Sequence, residues 1–215
     1  MKNLLTKELK LAMHPTGPLF IALSAMLLIP NYPFYVVFFY TSLALFFICL
    51  SGRENRDIFY TMLLPVGKRD IVKSRICTAV ILQLAQAAAA VPFIFIRNAL
   101  PIGSNAAGME ANAALIGLSM IMTGLSNMVF FTSYYKDVNK VGTSFMFSGI
   151  VTLIFTVAAE ACVHAVPFVK EHLDTVDSEN RPLRLAVLAV GFAVYAVMTF
   201  ITYKISAARF EKIDL

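Results

Sequence analysis

Apolar residues in this chain come in long runs separated by short polar intervals, the pattern of helices buried on every side. A helix needs about 20 apolar residues to cross a bilayer. Uninterrupted apolar length predicts membrane-spanning helices over residues 17–32, 34–50, 76–96, 111–131, 143–169 and 185–203. Pro30 and Pro33 separate the first two by a tight turn, so these are expected to form a closely coupled hairpin. The fifth run is overlong and is interrupted by Glu160, His164 and Pro167. It is expected to cross and then fold into a short re-entrant or surface helix, since irregular backbone at depth must be shielded by protein. Ahead of the spans, Asn3, Lys7, Lys10 and His14 recur at spacings of 4, 3 and 4, while Met1, Leu5, Leu9, Ala12 and Met13 line the other side. That pattern predicts an amphipathic helix in the plane of the interface. The expected fold is an all-α integral membrane protein, a single transmembrane domain over residues 1–215 with six transmembrane helices.

Composition narrows the function. Of 215 residues, 59% are hydrophobic and 14% charged, against about 25% charged in soluble domains, which excludes an ordinary soluble enzyme. A net charge of +5 would suggest nucleic acid on a soluble surface, but here topology decides. Fourteen of the 18 Lys and Arg residues flank one set of span ends, and the other set has only Arg97, Lys170, Arg181 and Arg184. The positive-inside rule then places both termini in the cytoplasm of a multi-pass protein, and no nucleic-acid partner is expected. Tyr32 and Tyr35 at one interface, with Tyr60, Tyr134, Tyr135 and Tyr203 at the other, stand in for an aromatic belt in a chain without Trp. Cys49, Cys77 and Cys162 have no metal-ligand spacing, so neither a disulfide nor a metal site is expected.

The segment between the second and third spans, residues 51–75, holds six of the basic residues and reads as helix, stop, helix. Ser51 and Glu54 form an S-x-x-E capping box, Pro65 and Gly67 close the helix, and Asp70 is placed to cap the next one. Ile58, Phe59, Met62 and Leu63 fall at helical spacing among Arg53, Glu54, Arg56 and Asp57. Such a helix either docks into a groove on a partner or rests on lipid headgroups.

The run Leu64-Pro65-Val66, followed by Lys68 and Arg69 and then by Ile71-Val72-Lys73, resembles the segment between spans two and three of small type-2 ATP-binding-cassette (ABC) permeases. The resemblance extends to six spans, a basic amphipathic first helix and a short basic tail. It implies that the segment is a coupling helix seated in an ATPase subunit, with Arg53, Glu54, Arg56, Asp57, Phe59 and Tyr60 as contact residues. It further implies two ABC ATPase subunits per complex, together with a second permease copy or a related permease. No G-x-x-x-x-G-K-[ST] loop occurs, so the chain itself is expected to bind no cofactor, ATP and Mg being held by the partner subunit.

Polar residues within the spans have two readings. Gln83, Gln86 and Asn127, with Ser126, either line a substrate pathway or bond helices together. Glu160 and His164, one turn apart, form a proton relay or sit near the outer boundary within reach of water. Gly142, Ser144, Ser148 and Gly149 offer a small-residue packing surface. No paired-histidine or serine-elbow motif occurs, so the chain is not expected to be an enzyme. The leading expectation is the permease subunit of an ABC exporter in the bacterial cell membrane. It would move an apolar or amphipathic drug, lipid or peptide by alternating access, with membrane lipid around it. The alternatives are a stand-alone channel or secondary transporter and a non-transporting scaffold or sensor.

Overall fold

A computed structural model describes residues 2–213, which form helices and connecting loops with no strand among them. Five helices are long and apolar enough to cross a membrane: α3 (Tyr35–Glu54), α5 (Lys68–Ala99), α6 (Ala113–Tyr134), α7 (Val141–Ala165) and α9 (Arg181–Phe210). A sixth crossing exists only as a bent pair. The first member is α1 (Lys2–Lys7), continued by a π-helical turn, Glu8–Ala12; the second is α2 (Thr16–Ala22), continued by a 3-10 stretch, Leu23–Leu28. The two meet at 82°. His14 stands at the corner, stacked on Phe47 with ring centroids 5.4 Å apart. The second member alone rises about 22 Å, less than the hydrocarbon thickness of about 30 Å.

The buried line of the first helix differs from the sequence expectation. Leu4 and Glu8 are buried, while Leu5 and Leu9 are only half-buried. An ion pair draws Glu8 inward, as described below. Met1 lies outside the described residues. Beyond the fifth span the chain does fold into a further short helix, α8 (Pro167–His172), which has no buried residue.

α6 is the central element and packs most extensively along α9. The reason is local: a Cβ built on Gly191 would lie 2.2 Å from the carbonyl oxygen of Gly117, and one on Gly117 would lie 2.6 Å from that of Val187. Only glycine permits backbones this close. Two apolar clusters fill the bundle. One, toward the face rich in Lys and Arg (the basic face), includes Ile48, Val72, Phe131, Tyr134, Tyr135 and Phe210. The other, toward the opposite face, includes Tyr35, Ile94, Leu115, Met120 and Tyr195. Tyr35, Tyr134 and Tyr135 are therefore core residues rather than members of an aromatic belt, each at most 1% exposed.

A polar stratum separates the clusters. Gln83 and Asn127 exchange two amide hydrogen bonds of 2.9 and 2.8 Å, and the Tyr195 hydroxyl donates to Gln83 Oε1 at 2.6 Å. Gln86 Nε2 donates to Ser24 Oγ at 2.9 Å. Ser126 joins Ser42 at 3.2 Å and Ser148 at 2.8 Å. Gln83, Gln86 and Asn127 are thus buried bridges between helices. Ser144 and Ser148 likewise face inward to α6, whereas Gly142 and Gly149 have open space beside them.

At the opposite face, the loop over residues 100–112 is held by side-chain clamps. Glu160 Oε2 accepts from the Met109 N–H at 3.0 Å, and Asp174 Oδ1 accepts from the Glu110 N–H at 2.7 Å. Asn112 caps α6 through the Leu115 N–H at 3.1 Å and donates to the Leu173 carbonyl at 2.7 Å. Arg97 is 3% exposed; it donates to the Leu27 carbonyl at 3.3 Å and lies 4.8 Å over the Phe34 ring. Glu160 thus sits toward the end of α7 away from the basic face, clamping a loop.

Candidate functional site

The site on the basic face is built around a helix that the sequence mis-starts. Ser51 does not cap a new helix: α3 runs through it to Glu54, and the Asn55 N–H still reaches the Ser51 carbonyl at 2.9 Å. The break comes at Arg56, whose backbone is left-handed (φ 52°, ψ 33°). A non-glycine residue in that region is uncommon and turns the chain sharply. The short helix α4 (Asp57–Met62) follows. Pro65 and an extended Gly67 then lead into α5, where Asp70 makes no side-chain capping bond. Its carboxylate still favours the positive end of the helix from the first turn.

Six residues of α4 give it two faces. Ile58 and Thr61 are buried, and Met62 packs against the basic-side cluster. Phe59, Tyr60, Leu63 and Leu64 point outward at 45%, 61%, 69% and 56% exposure. Sequence periodicity grouped Phe59 with Ile58 and Leu63 with Met62, but the anchoring of Asp57 sets a different register. Arg53, Glu54 and Arg56 are exposed around this apolar ridge, with Arg53 donating to the Asn139 carbonyl at 3.4 Å. A cavity of about 270 Å³ lies between Arg53, Arg56, Phe59, Tyr134 and Asn139, below the size of ordinary small-molecule sites and suited to a partner side chain. Contiguous apolar exposure at a polar surface marks an interaction site.

Behind the ridge is a charge cluster. Arg75, in α5, has a side chain 2% exposed; its Nε pairs with Glu8 Oε2 at 2.7 Å and its Nη2 with Asp57 Oδ2 at 2.7 Å. Nη1 donates to the Ile48 carbonyl at 3.4 Å. Lys7 Nζ completes the group, 2.5 Å from Asp57 Oδ1 and 3.2 Å from Glu8 Oε1, and donates to Thr61 Oγ1 at 3.0 Å. Two cations and two anions thus balance where α1, α3, α4 and α5 meet. Asp57, which the resemblance implied as a contact with an ATPase subunit, is turned inward as the pivot of this cluster. Arg75, read from the sequence only as a topology marker, is its centre.

The segment just after α9 also engages the start of α5. Arg69 grips Glu211 through bonds of 2.7 and 3.0 Å, and this contact holds the exposed Glu211 carboxyl below its usual range. Lys68 donates to the Ile213 carbonyl at 2.5 Å. Among the described residues no cluster of His, Cys, Asp and Glu is suited to hold a metal ion.

Residues 3–207 match the family model described as ABC-2 family transporter protein. Comparison with curated proteins and with solved structures gave no match to the chain.

Proposed function

The chain belongs to the ABC-2 family of transporter permeases, and we propose that it is the membrane subunit of a bacterial ATP-driven exporter in which α4 is the coupling helix. As a multi-pass permease of an ABC transporter it works with ABC ATPase subunits. The proposed assembly has two ATPases, which bind ATP and Mg, and two permeases, identical or related. In this assembly the basic face, with both termini, fronts the cytoplasm.

The observation that carries the reading is the pairing of an exposed ridge with a buried linkage. Phe59 and Tyr60 of α4, with Leu63 and Leu64 just beyond it, face outward, while Asp57, the first residue of α4, is tied to Arg75 within α5 and to Lys7 beside Glu8. Closure of the ATPases on bound ATP pushes α4. Because the charge cluster has no slack, α5 and α1 follow, and the permeases tilt from inward-open to outward-open. The cargo is apolar or amphipathic: a drug, a lipid or a peptide, carried between surfaces rich in Phe and Met that adapt to varied shapes. The chain's own residues perform no bond chemistry; their work is mechanical.

The test is to purify the chain with the products of its neighbouring genes. An ABC ATPase is expected to accompany it, and the Tyr60→Ala/Leu64→Ala variant is expected to lose that ATPase, or its stimulation by the permease, while eluting as a folded membrane protein. Uptake into inside-out vesicles on ATP addition fixes the direction as export. Retention of the ATPase at full stimulated activity in the variant, or the absence of any ATPase, ends this reading.

A further inference from the structure

A lateral groove of about 660 Å³ lies between α5 and α9 on the basic side of the bundle. Its wall runs along α5 from Lys73 to Leu84 and, antiparallel, along α9 from Tyr203 to Phe192, with Leu5 of α1 at the basic end. The rise along either stretch is about 16 Å, close to half of a hydrocarbon core of about 30 Å. The groove is therefore one leaflet long. It ends at the depth of the polar stratum, where Tyr195 lines it and bonds to Gln83.

The surface exposed in the groove is apolar along its length, Cys77 and Thr199 included, and the one charged wall residue, Lys73, is at the basic end. Ile76, Val80, Leu84 and Phe192 make the wall apolar. At the basic end stands Lys73, exposed and with no carboxylate partner among the described residues. Lys204 joins it from α9: its ammonium lies 5.3 Å over the ring of Phe200, itself a wall residue. One ammonium at the basic end of an apolar slot one leaflet deep and a second beside its wall residue Phe200, neither with a carboxylate partner among the described residues, match a ligand with an anionic head and a single-leaflet tail. A separate hollow of about 440 Å³ lies between the same two helices toward the opposite face, lined by Val91, Asn98, Arg184 and Leu188; an apolar span laid along both would leave the two ammonium groups without a counter-charge, whereas a lipid phosphate supplies one.

We infer that this groove holds an acyl chain of an anionic glycerophospholipid from the basic-side leaflet, its phosphate seated between Lys73 and Lys204. The bound lipid lies against Leu5 and so also holds α1 to the membrane. Nothing in this site depends on the direction of transport or on the ATPase.

The chain has no Trp, which makes a single introduced indole a clean reporter. The full chain carrying Phe192→Trp is reconstituted in bilayers containing brominated phosphatidylglycerol or brominated phosphatidylcholine at increasing mole fraction. Phe200→Trp serves as a second reporter at the mouth, and Leu153→Trp, on the 63% exposed surface of α7, reports ordinary lipid contact. Half-maximal quenching of the groove reporters is expected at a mole fraction of phosphatidylglycerol about fivefold lower than of phosphatidylcholine. Lys73→Gln should abolish that preference, and the Leu153→Trp reporter should show none. Equal quenching by both lipids at both groove positions overturns the proposal in favour of ordinary annular lipid. Groove reporters that neither lipid quenches, alongside a quenched Leu153→Trp, overturn it in favour of a protein cover.

Discussion

Glu8 is the only acidic residue before Glu54, and it sits on a helix that otherwise reads as a basic surface element. Its partner, Arg75, sits one residue before a long apolar run. A lone acid on a basic helix, and a base at the very edge of an apolar run on the same membrane face, were the available signal, but helical periodicity averages over single residues and does not register it. The structure gives the pair weight, because a charge left buried without its partner is far more expensive than the pair is favourable. Glu8→Ala is expected to destabilise the chain by about 3–5 kcal/mol, read as a lowered Tm in detergent. The Glu8→Ala/Arg75→Met double variant should lose less than the sum of the two single variants. Asp174, in the loop before α9, works in the opposite sense. Partial burial raises its carboxyl above the usual range, outweighing the opposing hydrogen bond from the Glu110 N–H, and the charge of Glu110 adds to the rise. A raised folded-state value means that the folded protein holds the proton more tightly. Its stabilising contribution is complete below the usual Asp value of about 3.9 and fades as pH rises through the raised one. Asp174→Asn should remove that part of the pH dependence of Tm on the acid side of neutrality.

Helices show where sequence reading succeeds and where contacts overrule it. Spans two to six were legible because the free energy of apolar burial in a bilayer scales with run length, which a sequence displays directly. The start of α4 was not, since an S-x-x-E pattern is equally compatible with the last turn of α3, and a left-handed Arg56 leaves no compositional mark. Gln83, Gln86 and Asn127 were open between pathway and bridge; their mutual bonds are of the bridging kind, which depends on partners 44 residues or more distant in sequence. The glycines separate by neighbour in the same way. Gly191→Ala, meeting the Gly117 backbone, should destabilise the α6–α9 pair by at least about 1–3 kcal/mol. Gly149→Ala faces open space and should be neutral or gain up to about 1 kcal/mol of helix propensity. Thermal denaturation of the two variants side by side makes the comparison.

On the scale of the whole molecule, apolar arithmetic already implied a chain of spans without a motor, and membership of a transporter family fits that shape. The bend between α1 and α2 was legible as well, in Pro15 and Pro18, which turn the chain inward after the surface helix; what the sequence could not supply was the packing at the corner, where His14 stacks on Phe47. The contact of Gly117 with Gly191 has a further consequence at this scale. Backbones that touch have no room to slide or roll, so α6 and α9 form a fixed spindle. A cycle driven through α4, as proposed, is expected to leave this pair together while α1, α4 and α5 move. Spin labels placed on α6 and α9 should keep one distance distribution with and without ATP in the assembled transporter, while labels on α4 and α6 should not. On the proposed mechanism, each tilting permease would carry its moving helices on an axle of two glycines.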